Sequence, residues 1–95
     1  MATLHIEHAI TDFPTWKAAF DRFAPKRAEA GATGHRIYLL HDDPNYLVVQ
    51  LDFPTVAQAE AFMDFLETLV WSTPANSPGL AATPRARVLV AAPAG

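Results

Sequence analysis

Asp12-Phe13-Pro14-Thr15 returns forty residues later as Asp52-Phe53-Pro54-Thr55. Each copy follows a run of alternating hydrophobicity and opens a run of helical spacing. Phe20 and Phe23 come after the first copy, Phe62 and Phe65 after the second. Aspartate suits a helix N-cap, and proline suits the first turn, where its missing N–H costs nothing. The duplication predicts two strand–helix–strand halves.

Working outward, residues 3–10 place Leu4, Ile6, His8 and Ile10 on one face and Thr3, His5, Glu7 and Ala9 on the other. A period of two marks a half-buried strand. The helix after the first copy carries Trp16, Phe20, Phe23 and Arg27 on one stripe. Pro25 should kink it by removing the hydrogen bond to the Asp21 carbonyl, and Gly31 should end it. A second strand is expected over 35–41, with Ile37 and Leu39 opposite Arg36, Tyr38 and Leu40. Asp42-Asp43-Pro44-Asn45 reads as a tight turn, which makes the strand over 46–53 antiparallel to its predecessor. The second helix is expected over about 55–70. Residues 71–84 form a loop with Pro74, Pro78, Gly79 and Pro84, and a last strand covers 85–92 before a tail at 91–95.

The order β-α-β-β-α-β fits the ferredoxin-like α+β arrangement, a four-stranded antiparallel sheet with two helices on one face. The first and third strands lie in the centre. The helices cover the face bearing Leu4, Ile6, Ile37, Leu39, Leu47, Val49, Leu51, Val88 and Val90. Residues 1–95 are expected to form one domain, near the size at which association helps to bury surface.

Composition narrows the function. The chain is 51% hydrophobic and 18% charged with a formal net charge of −3, which argues against nucleic acid or an anionic membrane as partner. Absence of cysteine removes disulfides and thiolate chemistry. The start lacks a basic segment followed by an apolar one, and no apolar run reaches the ~20 residues of a membrane span. A cytoplasmic protein is the expectation. No phosphate loop or dinucleotide fingerprint occurs, so no bound cofactor is expected.

Residues 12–53 then point to a family. The stretches Asp12 to Phe23, Arg27 to Gly31, Asp42 to Asn45 and the strand into Asp52-Phe53 resemble the dimeric α+β barrel superfamily, which includes antibiotic-biosynthesis monooxygenase-like proteins. That resemblance implies a homodimer whose two sheets close a barrel. It also implies activities of cofactor-independent oxygenase, isomerase, cyclase or haem-degrading type, although many small members have no assigned activity. The haem-degrading branch uses a strand asparagine, a tryptophan and a histidine. Trp71 could stand for the tryptophan, but the first strand has no asparagine and Ala81 stands where the histidine would be.

Four histidines carry the candidate chemistry. His5 and His8 point to opposite faces of a strand, so one ion cannot bind both. His35 and His41 share a face but stand about 20 Å apart along the strand, and no metal site is expected. His8 and His41 fall at one sheet end on the helix side, about 10 Å apart. There they could flank a small ligand as general bases, with Trp16, Phe20, Phe62, Phe65 and Trp71 shaping a cavity. The competing reading makes both imidazoles ordinary strand-end residues and the aromatics core. The other face carries His5, Glu7, Tyr38, Tyr46, Gln50, Arg85 and Arg87. It reads as a dimer interface or barrel lining, with Glu7 and Arg87 as a partly buried ion pair. Three functions stay open: an enzyme without a bound cofactor, a module that binds a hydrophobic or aromatic small molecule, and a structural dimer. A cavity of several hundred Å³ would favour the first two.

Overall fold

The computed structural model describes residues 1–93; the last two residues of the expected tail, Ala94 and Gly95, lie outside them. Alternation at the start builds β1 (Ala2–Ala9), in which every second residue is buried. Strands β2 (Gly34–Leu40), β3 (Asp43–Phe53) and β4 (Arg85–Val90) complete one sheet in the order β2-β3-β1-β4. All three pairings are antiparallel. This is the ferredoxin-like α+β architecture read from the sequence. The core joins Leu4, Ile6, Leu47, Val49, Leu51 and Phe53 of the sheet to Ala59, Phe62, Leu66 and Val70 above it.

The turn between β2 and β3 is tighter than expected. It occupies His41 and Asp42, and β3 already begins at Asp43, with a register irregularity at Leu39/Leu40. The Asp43 carboxylate accepts from the Asn45 N–H at 3.0 Å, so the Asp-Pro-Asn chemistry folds into the strand start. The expected helix-covered face is too wide: Leu39 is 39% exposed and Val90 64%. Both share that face, but at the ends of edge strands that the helices do not reach.

Pro25 breaks the first helix outright. It runs as α1 (Phe13–Arg22) and α2 (Ala24–Glu29), with Phe23 between them at φ −92°, ψ 7°. Gly31, at φ +93°, closes α2. Its N–H reaches the Ala28 carbonyl at 3.1 Å and the Ala32 N–H the Arg27 carbonyl at 3.0 Å, a Schellman closure that needs a left-handed residue. The second helix is α3 (Val56–Phe65), which widens into a π-helical turn over Leu66–Val70. There the Trp71 N–H reaches back five residues to the Leu66 carbonyl, at 2.7 Å.

The two Asp-Phe-Pro-Thr copies differ. Asp12 caps α1, accepting from the Thr15 N–H at 2.8 Å and the Thr15 hydroxyl at 2.9 Å. Asp52 stays inside β3, and Thr55 caps α3 by accepting from the Gln58 N–H at 3.1 Å. The expectation that both aspartates are caps holds for the first copy alone. At the second, sheet pairing runs three residues further before the helix starts.

Candidate functional site

Packing of α1 on the sheet leaves a gap. The helix buries Ala19 while Phe13, Trp16 and Phe20 stay half-buried, so bulky rings ride at the rim and a methyl group faces the sheet. The result is a cavity of about 70 Å³ between α1, α2, the sheet and the π-helical turn. Its floor is Ile6, His8, Val49 and Leu51, and Phe62, Leu66 and Val70 close one side. Trp16, Phe20, Phe23, Arg27 and Trp71 stand round it, with Asn76, Ser77, Pro78 and Leu80 from the Pro-rich loop.

That loop is a wall of its own chain's cavity. The Thr11 N–H reaches the Gly79 carbonyl at 2.8 Å and the Ala81 N–H the Ala9 carbonyl at 3.1 Å, beside an Ile10–Leu80 bridge. Gly79, at φ +89°, sits so close to α1 that a Cβ there would lie 3.0 Å from the Trp16 nitrogen. The Asn76 side-chain N–H donates to the Leu69 carbonyl at 2.9 Å, tying the loop to the π-helical turn.

His8 is the histidine of this cavity. It is 3% exposed, and burial pushes its pKa below the ordinary histidine value, partly offset by its bond to the Ala9 carbonyl. Nδ1 meets that carbonyl at 2.9 Å. A carbonyl only accepts, so the proton lies on Nδ1 and the Nε2 lone pair is free. Among the described residues Nε2 has no protein partner, yet no buried polar atom is stranded. Nε2 therefore keeps some accessible surface, and His8 is one of the residues that line the cavity.

Arg27, 8% exposed, is the second polar group. Its guanidinium lies 3.6 Å from the Phe20 ring centroid and donates to the Phe20 carbonyl at 2.6 Å. Trp16 stacks on Phe20 with centroids 4.9 Å apart, and His35 meets the Phe20 ring edge-on at 5.1 Å.

Of the residues expected here, the structure brings together His8, Trp16, Phe20, Phe62 and Trp71. His41 is not among them. The shortened turn takes it off the strand and into solvent. Phe65 lies outside as well, packed on Phe23 and Phe62 at 6.2 and 5.5 Å and facing an open depression beside Lys26 and Glu29. Arg27 was a missed wall residue whose signal was present, a charge on the aromatic stripe of α1 and α2. Asn76 and Ser77 carried no such signal.

The opposite sheet face holds a continuous hydrogen-bonded chain. The Tyr46 hydroxyl donates to Glu7 at 2.8 Å, and Glu7 also meets His5 Nε2 at 2.9 Å. His5 Nδ1 faces the Gln50 amide N–H at 3.1 Å, and Gln50 accepts from Arg36 Nε at 3.1 Å. Arg36 grips Asp52 at 2.7 and 3.0 Å, and Thr3 donates to the same carboxylate at 2.9 Å. Arginine can only donate, so the run of donors and acceptors makes His5 the Nε2–H tautomer. Bonds from His5, then Tyr46, hold Glu7 below its usual carboxylate value, and the Glu7 bond raises Tyr46. The expected Glu7–Arg87 pair does not form. Glu7 is in register with Arg85, and its carboxylate turns to His5 and Tyr46. Tyr38 and Arg87 are exposed beside the chain. Among the described residues no group of three or more His, Cys, Asp or Glu side chains is placed to hold a metal ion, and no helix is long and apolar enough to cross a membrane.

No protein-family model and no curated protein matches the chain. Solved structures do share its fold. A candidate antibiotic biosynthesis monooxygenase of Bordetella bronchiseptica superimposes with a TM-score of 0.71 at 14% identity, covering 96% of this chain and 97% of that one. Another from Nitrosomonas europaea gives 0.66 at 19% identity, covering 96% and 98%. A dimeric ferredoxin-like protein from an uncultured marine organism gives 0.61 at 14% identity, covering 96% of each.

Proposed function

We propose that the protein is a homodimer that binds a small molecule in the α1–sheet cavity. There His8 acts as general base in cofactor-independent chemistry of oxygenase, cyclase or isomerase type. The observation that carries this reading is the His8 ring itself. An imidazole kept neutral by burial, with Nδ1–H tied to a backbone carbonyl, offers a fixed lone pair to a phenolic O–H or an enolisable C–H. On proton transfer the imidazolium keeps its Ala9 bond, and Trp16, Phe20, Phe62 and Trp71 hold a flat substrate away from water. Two structural neighbours described as candidate antibiotic biosynthesis monooxygenases agree with this class of chemistry. A neighbour described as dimeric agrees with a homodimer, and exposed Tyr38, Leu40 and Leu89 on the sheet face away from the helices are the surface such pairing would cover.

One observation favours a structural dimer without a ligand. The cavity of about 70 Å³ is smaller than the ~300 Å³ at which ordinary ligand pockets begin, so a substrate must protrude or the Gly79 loop must give. Oxygen uptake and ligand-dependent melting against phenols, quinols and enolisable ketones separate the two. Turnover by the wild type and a loss of about a hundredfold or more in His8→Gln is the expected result. Equal turnover removes His8 as the base, and melting shifts without turnover leave a binding module. Sedimentation as a monomer at tens of micromolar would remove the dimer.

A further inference from the structure

Arg27 carries a positive charge where charge is costly, and no acid among the described residues is paired with it. Buried cations are ordinarily paired with a carboxylate, because an isolated charge in an apolar setting loses its hydration without return. Among the described residues the contacts between an acid and a basic side chain are His5–Glu7, Lys17–Asp21, Lys26–Glu29 and Arg36–Asp52. Arg27 belongs to none of them. Asp21 is the acid whose field reaches it, and Asp21 is already held by Lys17 at 2.7 Å. What Arg27 does contact is a carbonyl dipole and a ring face, both from Phe20. That contact secures the end of α1 where Pro25 breaks the helix, and it uses Nη1 alone. Nε and Nη2 have no acceptor among the described residues, and neither is a stranded buried atom. The cavity that Arg27 lines is also lined by His8, whose Nε2 has no protein partner among the described residues. Two residues more than nine-tenths buried, one bearing a cationic donor and one a neutral acceptor, thus line one small space.

We propose that the missing counter-charge belongs to the ligand: the cavity takes a planar organic anion, its carboxylate or enolate oxygen on Arg27 and a hydroxyl of the same molecule donating to His8 Nε2. This rests on the reading of the cavity as a small-molecule site and specifies what that molecule must be. Guanidinium supplies paired donors to a planar oxyanion, and the surrounding rings exclude the water that would weaken the contact. A neutral molecule of the same shape would leave the buried cation as uncompensated as before.

The test uses fluorescence, since the chain's two tryptophans, Trp16 and Trp71, both line the cavity. The probes are 3-hydroxybenzoate and its uncharged amide, 3-hydroxybenzamide, titrated near neutral pH. Wild-type protein should bind the acid about tenfold or more tightly than the amide, and Arg27→Met should bring the two affinities together. Equal affinities in the wild type, or a preference that survives in Arg27→Met, overturn the proposal while leaving a small-molecule cavity in place. Quenching by neither probe at millimolar concentration overturns both. Should Arg27→Met fail to fold, the wild-type acid-to-amide ratio and its partial retention in Arg27→Lys carry the test.

Discussion

At Asp12 the tetrapeptide Asp-Phe-Pro-Thr starts its helix at once, whereas at Asp52 the same four residues first finish a strand. The difference lies in what each aspartate meets across the sheet. Asp12 stands beyond the end of β1, where no strand claims its backbone, and its carboxylate is free to cap α1. Asp52 is in register with Thr3 on one side and Gly34 on the other, and its carboxylate is taken by Arg36 and Thr3. Capping then falls to Thr55, which at the first copy has Thr15 as its silent counterpart. Local chemistry offers a cap at both places, and strand pairing decides whether the offer is used.

The phenylalanines should show the largest contrast. Phe53 is fully buried and packs on Phe62 with centroids 5.7 Å apart, so Phe53→Ala should cost about 3–5 kcal/mol in urea unfolding. Phe13 is half-buried against Trp16, and Phe13→Ala should cost less than half as much. Equal losses would mean that the two copies pack alike.

The threonines come next. Thr55→Ala removes the α3 cap and should cost about 1 kcal/mol. Thr15→Ala leaves Asp12 holding the Thr15 backbone N–H and should cost only a few tenths. Reversal of that order would return the second cap to Asp52.

The smallest effect is the acid response of the aspartates. Bonds from Thr15 hold the Asp12 pKa below its ordinary value, and the bond from Arg36 does the same for Asp52. A lowered folded-state pKa adds stability that is present above the ordinary aspartate range and lost as the pH falls through the folded value. Asp12→Asn and Asp52→Asn should each flatten the fall in melting temperature as the pH drops through the ordinary aspartate range and below it. High salt should shrink the Asp52 contribution alone, because it comes from an ion pair. Identical salt responses would break the distinction.

These contrasts mark how far the residues could be read in isolation. Alternation of buried residues in β1 and β3 is a local property, so strand faces and the ferredoxin-like order were legible, and with them His8 on the helix side. The Glu7, His5 and Gln50 neighbourhood followed from register. Its actual pairing did not, because a carboxylate can turn to a partner two residues along its own strand as readily as across to Arg85 or Arg87. His41 was misplaced by a turn two residues tighter than Asp-Asp-Pro-Asn suggests. Arg27 could have been singled out as the one charge on an aromatic stripe. Asn76 could not, since its bond to Leu69 depends on a loop path that no periodicity encodes.

The π-helical turn at Leu66–Val70 gives this protein a tolerance of chain length. One residue more than an α-helix needs is held there by a five-residue hydrogen bond, with Asn76 on one of the carbonyls it loosens. Deleting any one of those five residues would let the ladder relax to ordinary α-helix. Where the residue lost is Glu67, Thr68 or Leu69, none of them in the cavity wall, the chain on either side would keep its orientation and Trp71 its place at the cavity, because the wide turn had only been taking up the extra residue. Among descendants of this sequence, a lost codon at one of those three positions would disturb the site less than most substitutions inside it.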